Sequence, residues 1–154
     1  SINMSNYENL MRVAIEEAAL SKETGNRGYG AVLARGDEII ARGHDTVAQT
    51  NDPTSHAEVN VMRLAVKKLG PDLSGCTIIS TCEPCPMCSS AAVWANVQRI
   101  VFGASIKETI ALGHTRIDLP VVELNKIAPH QIEVVEGVLK EECLKLYDHD
   151  GRLL

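Results

Sequence analysis

The sequence predicts a three-layer α/β/α sandwich around a mixed sheet of about five strands. Three observations carry this prediction. Helical stretches alternate with short apolar runs along most of the 154 residues. The first two apolar runs are joined by Arg35-Gly36-Asp37, a hairpin signal. The later runs are separated by helical stretches, which is how parallel strands must be connected.

The elements follow in order. Residues 7–22 place Leu10, Val13, Ala14, Ala18 and Leu20 close to one helical face, with Glu16 and Glu17 on another, and Gly25 and Gly28 end the pattern. Residues 28–34 and 38–47 read as the two strands of the hairpin. A second helix is expected over 54–70, entered through Asp52-Pro53 and stopped by Gly70-Pro71. Residues 76–81 (CTIIST) form a nearly continuous apolar strand, as expected for one covered on both faces. Residues 84–96 read as a helix opening on Pro84, and 99–104 (RIVFGA) as another strand. Residues 105–130 are less regular. A strand over 131–137 and a helix over 138–147 close the pattern. With Ser1–Asn3 left out, residues 4–154 read as one domain.

Composition narrows the function. Apolar residues make up 45% and charged residues 23%, an ordinary globular balance. No apolar run approaches the roughly twenty residues that a membrane span needs. The start carries neither a basic region nor an apolar core, so a cytoplasmic location is expected. The net charge is −5, from 15 basic and 20 acidic residues. The densest basic spot is Lys67-Lys68, and the ending LYDHDGRLL is not a basic tail, which weighs against nucleic acid as a partner.

The cysteines point to chemistry. There are five, and three of them, Cys82, Cys85 and Cys88, recur at every third position in TCEPCPMC. In a reducing compartment such clusters are more often metal-binding or catalytic than disulfide-bonded. An iron–sulfur nest would need a fourth cysteine where Ala92 stands. A closed structural zinc site would need a second ligand pair, and no further Cys-x-x-Cys is present. His56, at the start of the preceding helix, could join Cys85 and Cys88 as a third ligand and leave one position open, the catalytic arrangement. Cys85 and Cys88 are three apart on a first helical turn, where the positive helix end favours thiolates. Ser55-x-x-Glu58 also matches a capping box, which offers a purely structural role for Glu58. His-x-Glu followed by Pro-Cys-x-x-Cys is, however, the signature of zinc deaminases that act on nucleobases, and His56, Glu58, Pro84, Cys85 and Cys88 fill every position of it.

On these residues the chain resembles the cytidine deaminase-like superfamily, in the branch that holds tRNA adenosine deaminases, bacterial guanine deaminases and fungal-type cytosine deaminases. The likeness extends over GAVLA (30–34), NDPTSHAEV (51–59), TCEPCPMC (81–88), RIVFGA and the VVEG-VLKEEC ending, and is weakest over 105–130. It implies one zinc ion per chain on His56, Cys85 and Cys88, with water or hydroxide as the fourth ligand. It implies Glu58 as the residue that takes a proton from that water and passes it to the substrate. Backbone N–H groups near Ala57 and Cys85 would be pocket donors, and Cys82 matches no ligand position and reads as a buried small residue. The resemblance also implies a homodimer or larger homo-oligomer.

The departures from the family pattern bear on the substrate. Where much of this branch carries an asparagine at the end of the second strand, this sequence has Asp45. An ionised aspartate only accepts hydrogen bonds, so it favours a substrate presenting N–H groups. Tyr29 could stack on a flat heterocycle. Trp94 is similar to a residue in the guanine deaminase version of this helix. His114 and Asp118 fall where relatives place pocket-closing residues. His44, His130 and His149 receive no role. The expected function is hydrolytic deamination of a free nucleobase or related amino-heterocycle of guanine, cytosine, isocytosine or aminotriazine type. The alternative is a tRNA wobble-adenosine deaminase, and a third possibility is a non-enzymatic zinc or binding module.

Overall fold

The computed structural model describes residues 3–147. The His149 assignment and most of the LYDHDGRLL ending lie outside them. Helix α1 (Met4–Glu23) is capped by Asn3, whose side chain accepts from the Asn6 N–H. Strands β1 (Gly30–Arg35) and β2 (Glu38–His44) form the expected hairpin, with one register irregularity near Ala34. A short turn of helix, α2 (Val47–Thr50), precedes α3 (Ala57–Leu69). Strand β3 (Cys76–Cys82) is buried along its whole length and leads into α4 (Pro86–Trp94) and β4 (Arg99–Ala104).

The segment expected to be irregular contains two short helices, α5 (Ile106–Ala111) and α6 (Val121–Asn125). Strand β5 (Glu133–Glu136) follows, and the final helix α7 is only Lys140–Leu144. Its shortness has a local reason, because Leu139 at its N-cap is left-handed, with φ of 50°, which interrupts the helical pattern expected from 138. The start of α4 is also shifted. Pro86, not Pro84, occupies the first helical position, and Cys85 is the N-cap.

The sheet has the order β2-β1-β3-β4-β5. β1 is antiparallel to both of its neighbours, β2 and β3, so β2 and β3 run the same way. β3, β4 and β5 are parallel. The helices that follow β2 and β3 therefore start at the same end of the sheet, where open α/β sheets place their sites.

Alternating side chains along the strands feed two cores. On one face Ile78, Ile100 and Leu33 pack with Val61, Met62, Ala65 and Val93 from α3 and α4. On the other, Ile79, Val101 and Val32 pack with Tyr7, Leu10, Met11 and Ala14 of α1 and with Cys143 of α7. Each fully buried isoleucine contributes about 2 kcal/mol by removal from water.

One glycine is fixed by close approach. A Cβ at Gly30 would sit 2.0 Å from the Ala14 carbonyl oxygen and 2.5 Å from the Ala18 nitrogen. These are backbone atoms, so no rotamer change relieves the clash. Gly30→Ala is expected to cost about 3 kcal/mol, the upper end for overpacking, measurable as a lowered midpoint in urea unfolding.

Candidate active site

The loop into α3 is built from side-chain turns. Asn51 is left-handed, with φ of 56°, and Asp52 Oδ1 accepts from the Thr54 N–H at 2.9 Å and its hydroxyl at 2.6 Å. Asn60, one turn into α3, donates to the His44 carbonyl at 2.7 Å and to Thr46 Oγ1 at 3.0 Å. The end of β2, with Asp45, is thereby tied to the start of α3. His56 is the N-cap of α3 and Cys85 that of α4, and neither side chain serves as a cap. Both are free for other partners.

Those partners are each other. His56 Nδ1 lies 3.6 Å from Cys85 Sγ and 3.6 Å from Cys88 Sγ, and the two sulfurs are 3.8 Å apart. Four-coordinate zinc with bonds of about 2.3 Å to sulfur and 2.0–2.1 Å to nitrogen spaces tetrahedral ligands about 3.8 Å (S to S) and 3.6 Å (S to N) apart. The three donors therefore fit a zinc ion with one position left open. Cys85 is pushed down to about 4, first by the hydrogen bond with Cys88 and then, against burial, by His56. Cys88 is raised by the same hydrogen bond and by burial. Cys85 thus carries the first thiolate, as metal ligation requires.

Glu58 is 6% exposed and faces the same space. Its Oε2 accepts from Ser80 Oγ at 2.8 Å, so the carboxylate is turned to β3 and no hydrogen bond to the Ser55 N–H is formed. The Ser55 N–H goes to the Asp52 carbonyl instead. The capping-box role for Glu58 does not hold. Burial pushes the Glu58 carboxyl above the ordinary carboxylate range, and the Cys85 thiolate adds to this. A carboxyl raised towards neutrality suits proton transfer in both directions. Ser80→Ala is expected to leave zinc content unchanged and to lower kcat about tenfold, the worth of one hydrogen bond to a charged group. Steady-state ammonia release would measure this.

A cavity of about 150 Å³ opens over these groups, lined also by Arg27, Tyr29, Asp45, Cys82, Thr115 and Arg116. Asp45 is 2% exposed; its Oδ1 accepts from the Val47 N–H at 3.0 Å and burial raises its carboxyl. Tyr29 lies against Tyr147, with ring centroids 5.3 Å apart, and burial keeps its phenol protonated.

Several expected residues fall elsewhere. His114 is not in the cavity wall. It is buried behind Tyr29, with Nδ1 3.4 Å from the Tyr29 hydroxyl and Nε2 3.3 Å from the Tyr147 carbonyl, so it positions the tyrosine. Trp94 is 78% exposed at the end of α4. Ala92 and Val93 occupy the buried face there, and one further residue rotates Trp94 out to solvent. Asp118 pairs with Lys107 at the surface, and His44 with Glu17. Ala57 is fully buried, so only its backbone N–H, in the first turn of α3, can serve the site. Cys82 is buried, as expected, but it also lines the cavity and receives a hydrogen bond from Arg116 Nη1 at 2.7 Å.

Arg27, Glu83 and Arg116 were not anticipated. Glu83 fixes the segment that closes the cavity, because its Oε1 accepts from the Ile106 N–H at 2.9 Å and its Oε2 from the Val121 N–H at 2.8 Å. The available signal was an acidic residue at the end of an otherwise apolar strand, since a buried carboxylate must find donors.

A ligand triad with an open position, a buried carboxyl beside it and a small cavity above define a metal-assisted hydrolytic site. Residues 4–104 match the family model described as the cytidine and deoxycytidylate deaminase zinc-binding region. The chain belongs to this family of zinc-binding deaminases, hydrolases acting on C–N bonds. It is 41% identical over 141 residues to a tRNA-specific adenosine deaminase of Bacillus subtilis, covering 91% of this chain and 85% of that protein. It is 34% identical over 139 residues to a guanine deaminase of the same organism, covering 85% and 88%. A solved structure from studies of A-to-I editing by tRNA:A34 deaminases at the wobble position superposes with a TM-score of 0.78 at 29% identity, over 90% of this chain and 98% of that one.

Proposed function

We propose that residues 4–154 form one zinc-dependent hydrolytic deaminase domain acting on a free nucleobase or related amino-heterocycle of guanine, cytosine, isocytosine or aminotriazine type. The cavity carries this reading. At about 150 Å³ it is well below the roughly 300–1,000 Å³ of pockets for drug-sized ligands, so one small ring system fills it. Its wall offers an acceptor in Asp45, donors in Arg27 and Arg116 and an aromatic face in Tyr29.

In this reading His56, Cys85 and Cys88 hold the zinc ion. When bound, zinc supplies the acidification of a water molecule that hydrolysis at neutral pH needs. Glu58 takes the proton released by that water and delivers it to a ring nitrogen, which makes the amine-bearing carbon electrophilic. The water oxygen bonds to that carbon as a hydroxyl, Glu58 takes the second proton from that hydroxyl and passes it to the amine nitrogen, and the C–N bond breaks as the carbonyl forms and ammonia leaves. Asp45 accepts from a substrate N–H, Tyr29 flanks the ring, and the backbone N–H of Ala57 is a further donor.

A homodimer belongs to the same proposal. The exposed Trp94 on α4 and Val122 on α6, two helices that pack together, support it. Among the described residues no helix is long and apolar enough to cross a membrane. Five free thiols suit a reducing compartment such as the cytoplasm.

The tRNA wobble-adenosine reading stands second, favoured by the 41% identity to a tRNA-specific adenosine deaminase. The test is ammonia release from a panel of free bases, nucleosides and a tRNA anticodon stem-loop. Turnover of a free base supports the first reading. Turnover of the stem-loop alone replaces it with the second.

A further inference from the structure

Arg116 is a cavity residue whose guanidinium is only partly engaged by the protein. It projects from the segment between α5 and α6 and is half-buried in the cavity wall. Its Nη1 donates to Cys82 Sγ at 2.7 Å and to Thr109 Oγ1 at 3.0 Å, and its Nη2 donates to the Glu83 carbonyl at 2.7 Å. A guanidinium has five N–H donors. Three of the five are engaged, which leaves two without an acceptor among the described residues. None of the ion pairs among the described residues includes Arg116. The nearby Glu83 carboxylate is taken up by the Ile106 and Val121 amides. Burial pushes the Cys82 thiol up, and the Arg116 guanidinium works against that. The guanidinium is thus held at three points without a direct ion pair, and two of its donors remain for a ligand.

We propose that Arg116 is a specificity-determining residue that donates to a ring carbonyl oxygen of the substrate, so the substrate is an oxo-substituted amino-heterocycle. This rests on the free-base reading above and narrows it. The charges of the cavity agree. Arg27 and Arg116 share the cavity wall with three carboxyl groups, Asp45, Glu58 and Glu83, so the wall does not call for an anionic ligand. Asp45 accepts and Arg116 donates, and an amide edge of a ring, N–H beside C=O, presents the complement of both. Adenine has no oxygen to offer.

The test uses matched pairs that differ by that oxygen: guanine and 2-aminopurine, cytosine and 4-aminopyrimidine, isocytosine and 2-aminopyrimidine. Binding is measured by calorimetry on zinc-loaded Glu58→Gln protein, which holds a ligand without consuming it, and ammonia release is measured on the wild type. In at least one pair the oxo member should bind about 100-fold more tightly, because a site built to hydrogen-bond a group rejects the analogue lacking it. Adding Arg116→Met should bring the two members within about threefold, and Arg116→Lys should keep part of the preference. Melting curves check that each variant folds; if Arg116→Met does not, a loss of about tenfold in preference in Arg116→Lys makes the same point. Equal binding within every pair, a preference that survives both substitutions, or no binding of any member overturns the assignment. Oxygen-dependent binding without ammonia release from any free base overturns the deaminase reading and leaves the role of Arg116 standing. Ammonia release indifferent to the oxygen does the reverse.

Discussion

Glu58→Gln is expected to lower kcat by about 10³–10⁴-fold while zinc content stays at the wild-type level. The carboxamide has the same shape and can still accept the Ser80 hydrogen bond through its oxygen, so the cavity keeps its form. What it cannot do is take up and return a proton. Glu58 is buried 6% exposed beside the ligand triad, and among the described residues the cavity holds only Asp45 and Glu83 as other carboxylates. Asp45 sits at the end of β2, held by the Val47 N–H, and Glu83 is bound by two amides, so neither can stand in. The effect should fall on kcat much more than on KM, because the proton transfers occur after binding. Parallel measurement of ammonia release and zinc content checks this. Activity within tenfold of wild type would remove Glu58 from the chemistry.

Removal of the metal should have the second largest effect, on stability as well as on turnover. Without a cation, the Cys85 thiolate and Glu58 share a poorly solvated space, and each raises the cost of charging the other. A ligand present at a thousand times its dissociation constant stabilises the folded state by about 4 kcal/mol. For a chain of this size that corresponds to a fall in Tm of roughly 10 °C on chelation. One equivalent of zinc per chain should restore both Tm and activity. Unchanged melting after complete zinc removal, verified by metal analysis, would mean that the triad holds no structural metal in solution.

The grouping of His56, Cys85 and Cys88 beside Glu58 was legible in the sequence because its signals are local. His56 and Glu58 are two residues apart, Cys85 and Cys88 three apart, and each pair opens a helix, so spacing alone brings the groups onto usable faces. The hairpin and the buried β3 were legible for a similar reason, since turn residues and apolar runs act over a few positions. Arg116 was not. It reaches Cys82 and Glu83 across more than thirty residues, from a segment with no periodicity. Trp94 was placed by likeness to a relative, whereas helical phase turns it outward. In α5 a readable signal was passed over. Ser105 and Glu108 form a complete capping box, while the similar Ser55-x-x-Glu58 pattern does not form one. The same four-residue pattern caps α5, where Ser105 is the N-cap, and not α3, where the N-cap is His56, so Ser55 stands one residue too early and the Glu58 carboxylate turns to Ser80.

Glu83 gives the molecule a division of labour. It follows directly on β3, two residues before Cys85, and its carboxylate fastens the first residues of both α5 and α6. The stretch between those two anchors, from which Thr115 and Arg116 enter the cavity, is thus held at both ends. Substitutions there can change the cavity wall without moving His56, Glu58, Cys85 or Cys88. A selection experiment for new substrates would do best to randomise residues 115–117 and leave Glu83 untouched.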